Sequence, residues 1–165
     1  MNKKQKCPKC HRWLIEFTGP TKATLGAIVY EPDKRTGALL DTQGERLLTN
    51  ECYRVGINSL EIRLASVWSH PPGDEDELEW HLRRALRAVK GCQVVMLFGT
   101  DVTKVVLDKG IAAIVGLEQE SPLLPGVALY PVPHPGHTVV KPLGEFRLCL
   151  QRVSRKLASR SRARN

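Results

Sequence analysis

The order of secondary-structure signals predicts an α/β protein, a three-layer α/β/α fold around a mostly parallel central sheet. Three observations carry this. The runs Gln93 to Phe98 and Val127 to Val132 are short and continuously apolar, the pattern of strands buried on both faces. Strand-like runs alternate with helical ones along the chain, as in a sheet built from crossover units. The first run leads into Gly99-Thr100 and the second into His134-Pro135-Gly136, so special residues stand at strand ends, where ligands of such sheets bind.

The elements follow in order. Ala27 to Tyr30, after Gly26, reads as a short buried strand, and Glu31 to Asp41 is polar and turn-rich. Gly44 to Val55 carries Leu47, Leu48, Cys52 and Val55 at helical spacing and stops at Gly56. Leu60 to Trp68 reads as a strand ended by Ser69-His70-Pro71-Pro72-Gly73. Asp74 is placed to cap a helix with an acidic first turn and a basic body (Arg83, Arg84, Arg87), an order that suits the helix dipole, and Gly91 closes it. After the strand Gln93 to Phe98 come a helix from Asp101 to Asp108, a short apolar segment Ile111 to Val115, a polar loop and the strand Val127 to Val132. An amphipathic helix from Leu143 to Leu157 then runs into a basic tail.

With 165 residues and 42% apolar side chains, the chain suits one core. Its expected organisation is a basic arm with a CxxC motif (1–23), one α/β domain (24–153) and a basic disordered tail (154–165). No apolar run approaches the roughly 18 residues of a membrane span, so a monomeric cytoplasmic protein is expected. The net charge of +8 is concentrated at the two ends. Lys3, Lys4, Lys6 and Lys9 lie in the first ten residues, and Arg152, Arg155, Lys156, Arg160, Arg162 and Arg164 in the last fourteen, leaving 15 basic against 17 acidic side chains between them. Such arms read as tethers for phosphates, and the plainer reading is a solubilising tail. Five cysteines, an odd number with three inside apolar patterns, do not make a disulfide framework. Cys7 and Cys10 differ, because two thiolates three positions apart on a tight turn reach one metal.

From residue 24 to residue 153, with the CxxC added, the chain resembles the uracil-DNA glycosylase superfamily, most closely the bacterial and archaeal branch that carries an iron-sulfur cluster. The segment Thr36 to Leu48 is similar to that family's Gly-rich loop entering its first helix, and Gly56-Ile57-Asn58 to its next helix end. The strand ending in Ser69-His70-Pro71-Pro72 is similar to its strand with a terminal Pro-Pro, Val94 to Gly99 to its central strand and glycine, and Tyr130 to Gly136 to its histidine loop. The resemblance implies DNA as partner and hydrolysis of the N-glycosidic bond of a base flipped from the duplex. It gives His134 the role of donor to the departing base, and Pro135 and Gly136 a backbone approach to phosphate.

Departures from the family pattern are local. Its Gly-Glu-x-Pro-Gly loop is replaced by the shorter Tyr30-Glu31-Pro32-Asp33, where Glu31 or Asp33 is the candidate to hold the water as general base, and an ordinary acidic turn is the other reading. Leu39 and Leu40 stand where the family has its base-stacking aromatic, with Tyr30 as a substitute π-face, and its base-reading asparagine falls near Ala65 or Ser66. Two of its cluster cysteines match Cys7 and Cys10, but the third falls on Ser69 and the fourth on His81, so an iron-sulfur cluster is not expected. His70 adjoins Ser69, and Cys7, Cys10, His70 and His81 then make a Cys2His2 set suited to a structural zinc, with His11 a rival ligand. Two functions are expected: a glycosylase for a modified base, or a catalytically silent relative binding DNA or a protein. A phosphate-loop nucleotidase is disfavoured, since Gly99-Thr100 lacks that loop's glycines and lysine.

Overall fold

The computed structural model of the chain describes residues 5–73, 75–137 and 143–163; the expected cap Asp74 and the arm residues Lys3, Lys4 and Arg164 lie outside them. Strands β1 (Leu25–Val29), β2 (Ile62–Ser66), β3 (Val94–Phe98) and β4 (Ala128–Val132) form one sheet in the order β2-β1-β3-β4, and every pairing is parallel. Parallel neighbours require crossovers, supplied by helices α1 (Thr42–Arg54), α2 (Glu75–Val89) and α3 (Thr100–Leu107), while α4 (Leu143–Arg162) follows the last strand. Alternate strand residues face opposite layers. Ala27, Val29, Met96 and Phe98 join a core with Leu48 and Cys52 of α1 and Phe146, Leu150 and Val153 of α4. Ile28, Val95, Leu97 and Leu129 join another with Ala85 and Val89 of α2 and Val102 and Val106 of α3. The α/β fold is therefore as expected, with both sheet faces covered. Each fully buried Val, Leu, Ile, Phe or Met contributes roughly 1.5 to 3 kcal/mol, which explains why the strands read as unbroken apolar runs.

Element ends shift where a cap decides them. Asp41 accepts a hydrogen bond from Gly44 N at 2.6 Å, so α1 begins two residues before the apolar spacing suggests. Asn58 caps a short 3-10 turn, Ser59–Glu61, and the strand expected from Leu60 begins only at Ile62. The segment expected at Ile111 to Val115 is a 3-10 turn over Ile111–Ala113.

The two basic ends are both tied to the body of the protein. Residues 15–18 lie along the outer edge of β2: Thr18 and Leu64 exchange backbone hydrogen bonds at 3.0 Å, and Ile15 N donates to Ser69 O at 2.9 Å. This caps an edge that would otherwise offer unpaired backbone groups. At the other end, the segment expected as a disordered tail is helical through Arg162. Val153 is fully buried, Ser154 Oγ donates to Val55 O, Lys156 pairs with Glu118 at 2.6 Å, and an Arg160 amino group donates to the carbonyls of Gln93 and Gly126. Composition alone suggested disorder, but periodic Val153 and Leu157 and these bonds hold the helix. No helix among the described residues is long and apolar enough to cross a membrane.

Candidate functional site

The sheet order reverses between β1 and β3, since β2 lies outside β1 and β4 outside β3. Chains leaving these two strands diverge and leave a crevice at their carboxyl ends. A cleft of about 400 Å³ opens there, lined by Tyr30 and Glu31 after β1, Leu39 and Leu40 before α1, Phe98 at the end of β3, and His134 after β4. The expected site residues Glu31, Asp33, His134 and Gly136 thus meet at one cleft.

Backbone geometry sets the histidine. Gly99 turns the chain out of β3 with φ +97°, a conformation that side chains with a Cβ rarely adopt, and its carbonyl accepts from Thr103 Oγ1 at 2.7 Å. A Cβ on Gly44 would stand 3.2 Å from Gly136 N and 2.9 Å from Asp41 Oδ1, so a glycine there lets the start of α1 press against the histidine loop. Gly136 N donates to His134 Nδ1 at 3.1 Å. A ring nitrogen that accepts a hydrogen bond is unprotonated, so the neutral imidazole carries its proton on Nε2.

The two carboxylates differ. Asp33 Oδ2 accepts from Thr36 N at 2.8 Å and Thr36 Oγ1 at 2.7 Å, closing a turn. The Thr36 hydroxyl, then its backbone N–H, and the charge of Arg35 hold the Asp33 carboxyl below its ordinary pKa, making it a weaker proton acceptor. Glu31 pairs with Lys34 at 3.3 Å through one carboxylate oxygen. The turn reading therefore describes Asp33, whose carboxylate closes the turn onto Thr36. Sequence reasoning missed Phe98, Asp41 and Asp101 on the cleft wall. Phe98 was detectable as the aromatic immediately before the strand-ending glycine, whereas Asp41 is already used as a helix cap.

A second cluster forms where residues 5–14 meet the loop after β2 and helix α2. Cys10 Sγ lies 3.3 Å from His70 Nε2, Cys7 Sγ 3.7 Å from His81 Nε2, and the two imidazole Nε2 atoms are 2.9 Å apart. A tetrahedron with Zn–N near 2.0 Å and Zn–S near 2.3 Å has edges of about 3.3 to 3.8 Å, which the two sulfur–nitrogen separations match and the nitrogen–nitrogen one falls short of. His70 Nδ1 lies 2.7 Å from Pro71 O, which makes it the donor and leaves a lone pair on Nε2, the arrangement of a ligating imidazole. Burial, then His70 and Arg84, lower the His81 pKa to about 4. Burial pushes the Cys7 thiol up, but hydrogen bonds from the Cys10 backbone, His70, the Lys9 backbone and the Cys10 side chain outweigh it and hold the thiol below its usual value. Cys7, Cys10, His70 and His81 lie close together and can hold a metal ion. Glu77, one helical turn before His81, adds an oxygen within 4.8 Å of the ring nitrogens of His70 and His81; its i, i+4 spacing was a signal in the sequence. Ser69 instead accepts from Arg84 at 2.6 Å, and His11 stands exposed at a turn with φ +59°. The other three cysteines, Cys52, Cys92 and Cys149, are buried free thiols, pushed up by burial to about 12, 11 and 11.

The basic C-terminal residues do not join the cleft. Arg160 binds carbonyls just before β3 and β4, at the amino edge of the sheet, whereas His134 follows β4 at the carboxyl edge. A five-residue strand separates the two edges by about 16 Å. Lys156 and Arg160 are also committed to the protein body, while Arg155 and Arg162 are exposed. Compared with known protein families and with characterised proteins, the chain matches no family model and no curated sequence.

Proposed function

We propose that the protein binds DNA and hydrolyses the N-glycosidic bond of a modified base in the cleft between β1 and β3, as its resemblance to the uracil-DNA glycosylase superfamily implies. The observation that carries this is the convergence of His134, with its Nε2 proton set by Gly136 N, and Glu31 on one cleft walled by Phe98 and Tyr30. A flipped base would lie against Tyr30, the half-buried aromatic of these walls. His134 Nε2–H would donate to the base as the glycosidic electron pair moves onto it and negative charge develops. Glu31 would take a proton from the water whose oxygen bonds to the sugar carbon. The test is a panel of single- and double-stranded oligonucleotides, each with one modified base, scored for abasic sites. Cleavage of any member supports the reading, and its absence across the panel defeats it.

The second reading is a silent relative that binds DNA without cutting the base. It is favoured by Asp33 being locked in its turn and by Leu39 and Leu40 occupying the stacking position. In either case we propose that the metal at Cys7, Cys10, His70 and His81 is zinc, because two thiolates and two imidazoles match its preferred tetrahedral donors. It would supply no chemistry to the cleft; it would clamp the N-terminal segment to the loop after β2 and to α2.

A further inference from the structure

The cleft's own charge is the wrong one for DNA. Glu31, Asp33, Asp41 and Asp101 line it against a single Lys34. A strand entering it needs cations and contacts supplied from beside it, and the basic end of α4 lies on the opposite edge.

The N-terminal hairpin stands on the correct edge. Lys6 and Trp13 pair across it, Cys7 N donates to Arg12 O at 2.8 Å, and Leu14 N to Gln5 O at 2.9 Å. Its base is fixed to the loop after β2 by Ile15 N to Ser69 O and by the Cys10–His70 contact. That loop adjoins the cleft wall, since Trp68 N donates to Tyr30 O at 2.9 Å. The hairpin exposes Lys6, Lys9, Arg12 and Trp13, and no acidic residue precedes Glu16. Trp13 is 58% exposed, with Lys6 Nζ 4.7 Å from its ring centroid. An exposed aromatic ring among cations that follow a backbone is how proteins hold unpaired nucleotides, with the ring taking a base face and the cations the phosphates.

We infer that the hairpin of residues 5–14 is a single-strand nucleic-acid platform beside the cleft, on which Trp13 stacks an unpaired base and Lys6, Lys9 and Arg12 hold the adjoining phosphates. It deepens the DNA reading above and rests on it for the partner class, while its own chemistry is independent of any reaction in the cleft.

The test uses the full chain and a short labelled oligothymidylate, which carries no excisable base. Trp13→Ala is expected to weaken binding about five- to a hundredfold, the range spanned by one base–aromatic stack, with the salt dependence of affinity unchanged. Trp13→Phe keeps a π-face and is expected to restore most of the affinity. Lys6→Ala with Lys9→Ala and Arg12→Ala is expected to flatten the slope of log affinity against log salt by about one per lost contact. Saturating oligothymidylate is expected to quench the wild-type tryptophan emission, and to quench Trp13→Phe far less, since Trp68 is buried and Trp80 is half-buried against the His81 ring. Unchanged affinity in Trp13→Ala, or equal quenching in wild type and Trp13→Phe, overturns the platform. A Trp13 effect without base excision by the panel leaves the platform standing and removes the glycosylase; excision with full oligothymidylate affinity in Trp13→Ala does the reverse.

Discussion

At the scale of single residues, His134 separates a catalyst from a binder. A donor that strengthens as charge develops on the departing base acts mainly in the transition state, so His134→Ala is expected to slow single-turnover excision by about 10² to 10³ with little change in DNA affinity. Glu31→Gln should act in the same way, and Asp33→Asn less, because Thr36 already occupies one Asp33 oxygen and lowers its basicity. Parallel losses of binding and turnover in the His134 variant would leave the loop as a DNA clamp only. The position of His134 at a strand's carboxyl end was legible in the sequence. Its tautomer was not, since it depends on where Gly136 N points once the loop has closed against α1.

Among elements, two junctions hold the cleft's surroundings in place. Glu51 of α1 is buried and accepts from Arg147 of α4 through both carboxylate oxygens, at 2.6 and 3.1 Å, with Arg54 at 3.4 Å. The Arg147 hydrogen bonds outweigh burial and hold the Glu51 carboxyl below its ordinary value. A depressed folded pKa contributes stability above the unfolded value of 4.5 and loses it as pH falls through the folded one. Glu51→Gln is therefore expected to cost about 1 to 2 kcal/mol at neutral pH, a charge-assisted pair discounted for the partial exposure of Arg147, and the gap from wild type should close below about pH 4.5. Thermal melts of both proteins across pH check this; a gap that persists in acid removes the ion pair as its cause. The second junction is the Cys/His cluster. About one zinc per chain is expected by elemental analysis, and Cys7→Ala with Cys10→Ala should lose it and open residues 5–23 to protease, while retained zinc would assign the metal elsewhere.

Across the whole molecule, the two basic ends of the chain divide between the two edges of the sheet. The exposed cations Arg155 and Arg162 lie on the C-terminal half of α4, which runs to the edge opposite His134. Neutralising both is expected to reduce the salt slope of DNA binding by about two if they touch phosphate, and to leave the single-turnover rate on saturating substrate unchanged. A drop in that rate would show that the tail reaches the cleft. Removing residues 154–165 outright is the poorer experiment, because it also strips Ser154, Lys156 and Arg160 from the body. By itself the sequence determined the alternation of strands and helices, the strand-ending glycine and histidine, and the composition of the Cys/His cluster, because these follow from local periodicity and residue type. Only the tertiary structure decided that Phe98 joins the cleft wall, that Asp33 is spent on its own turn, and that the basic helix end and the N-terminal hairpin sit on opposite edges of the sheet. Those outcomes depend on strand order and on contacts between residues far apart in the chain, which no local pattern encodes.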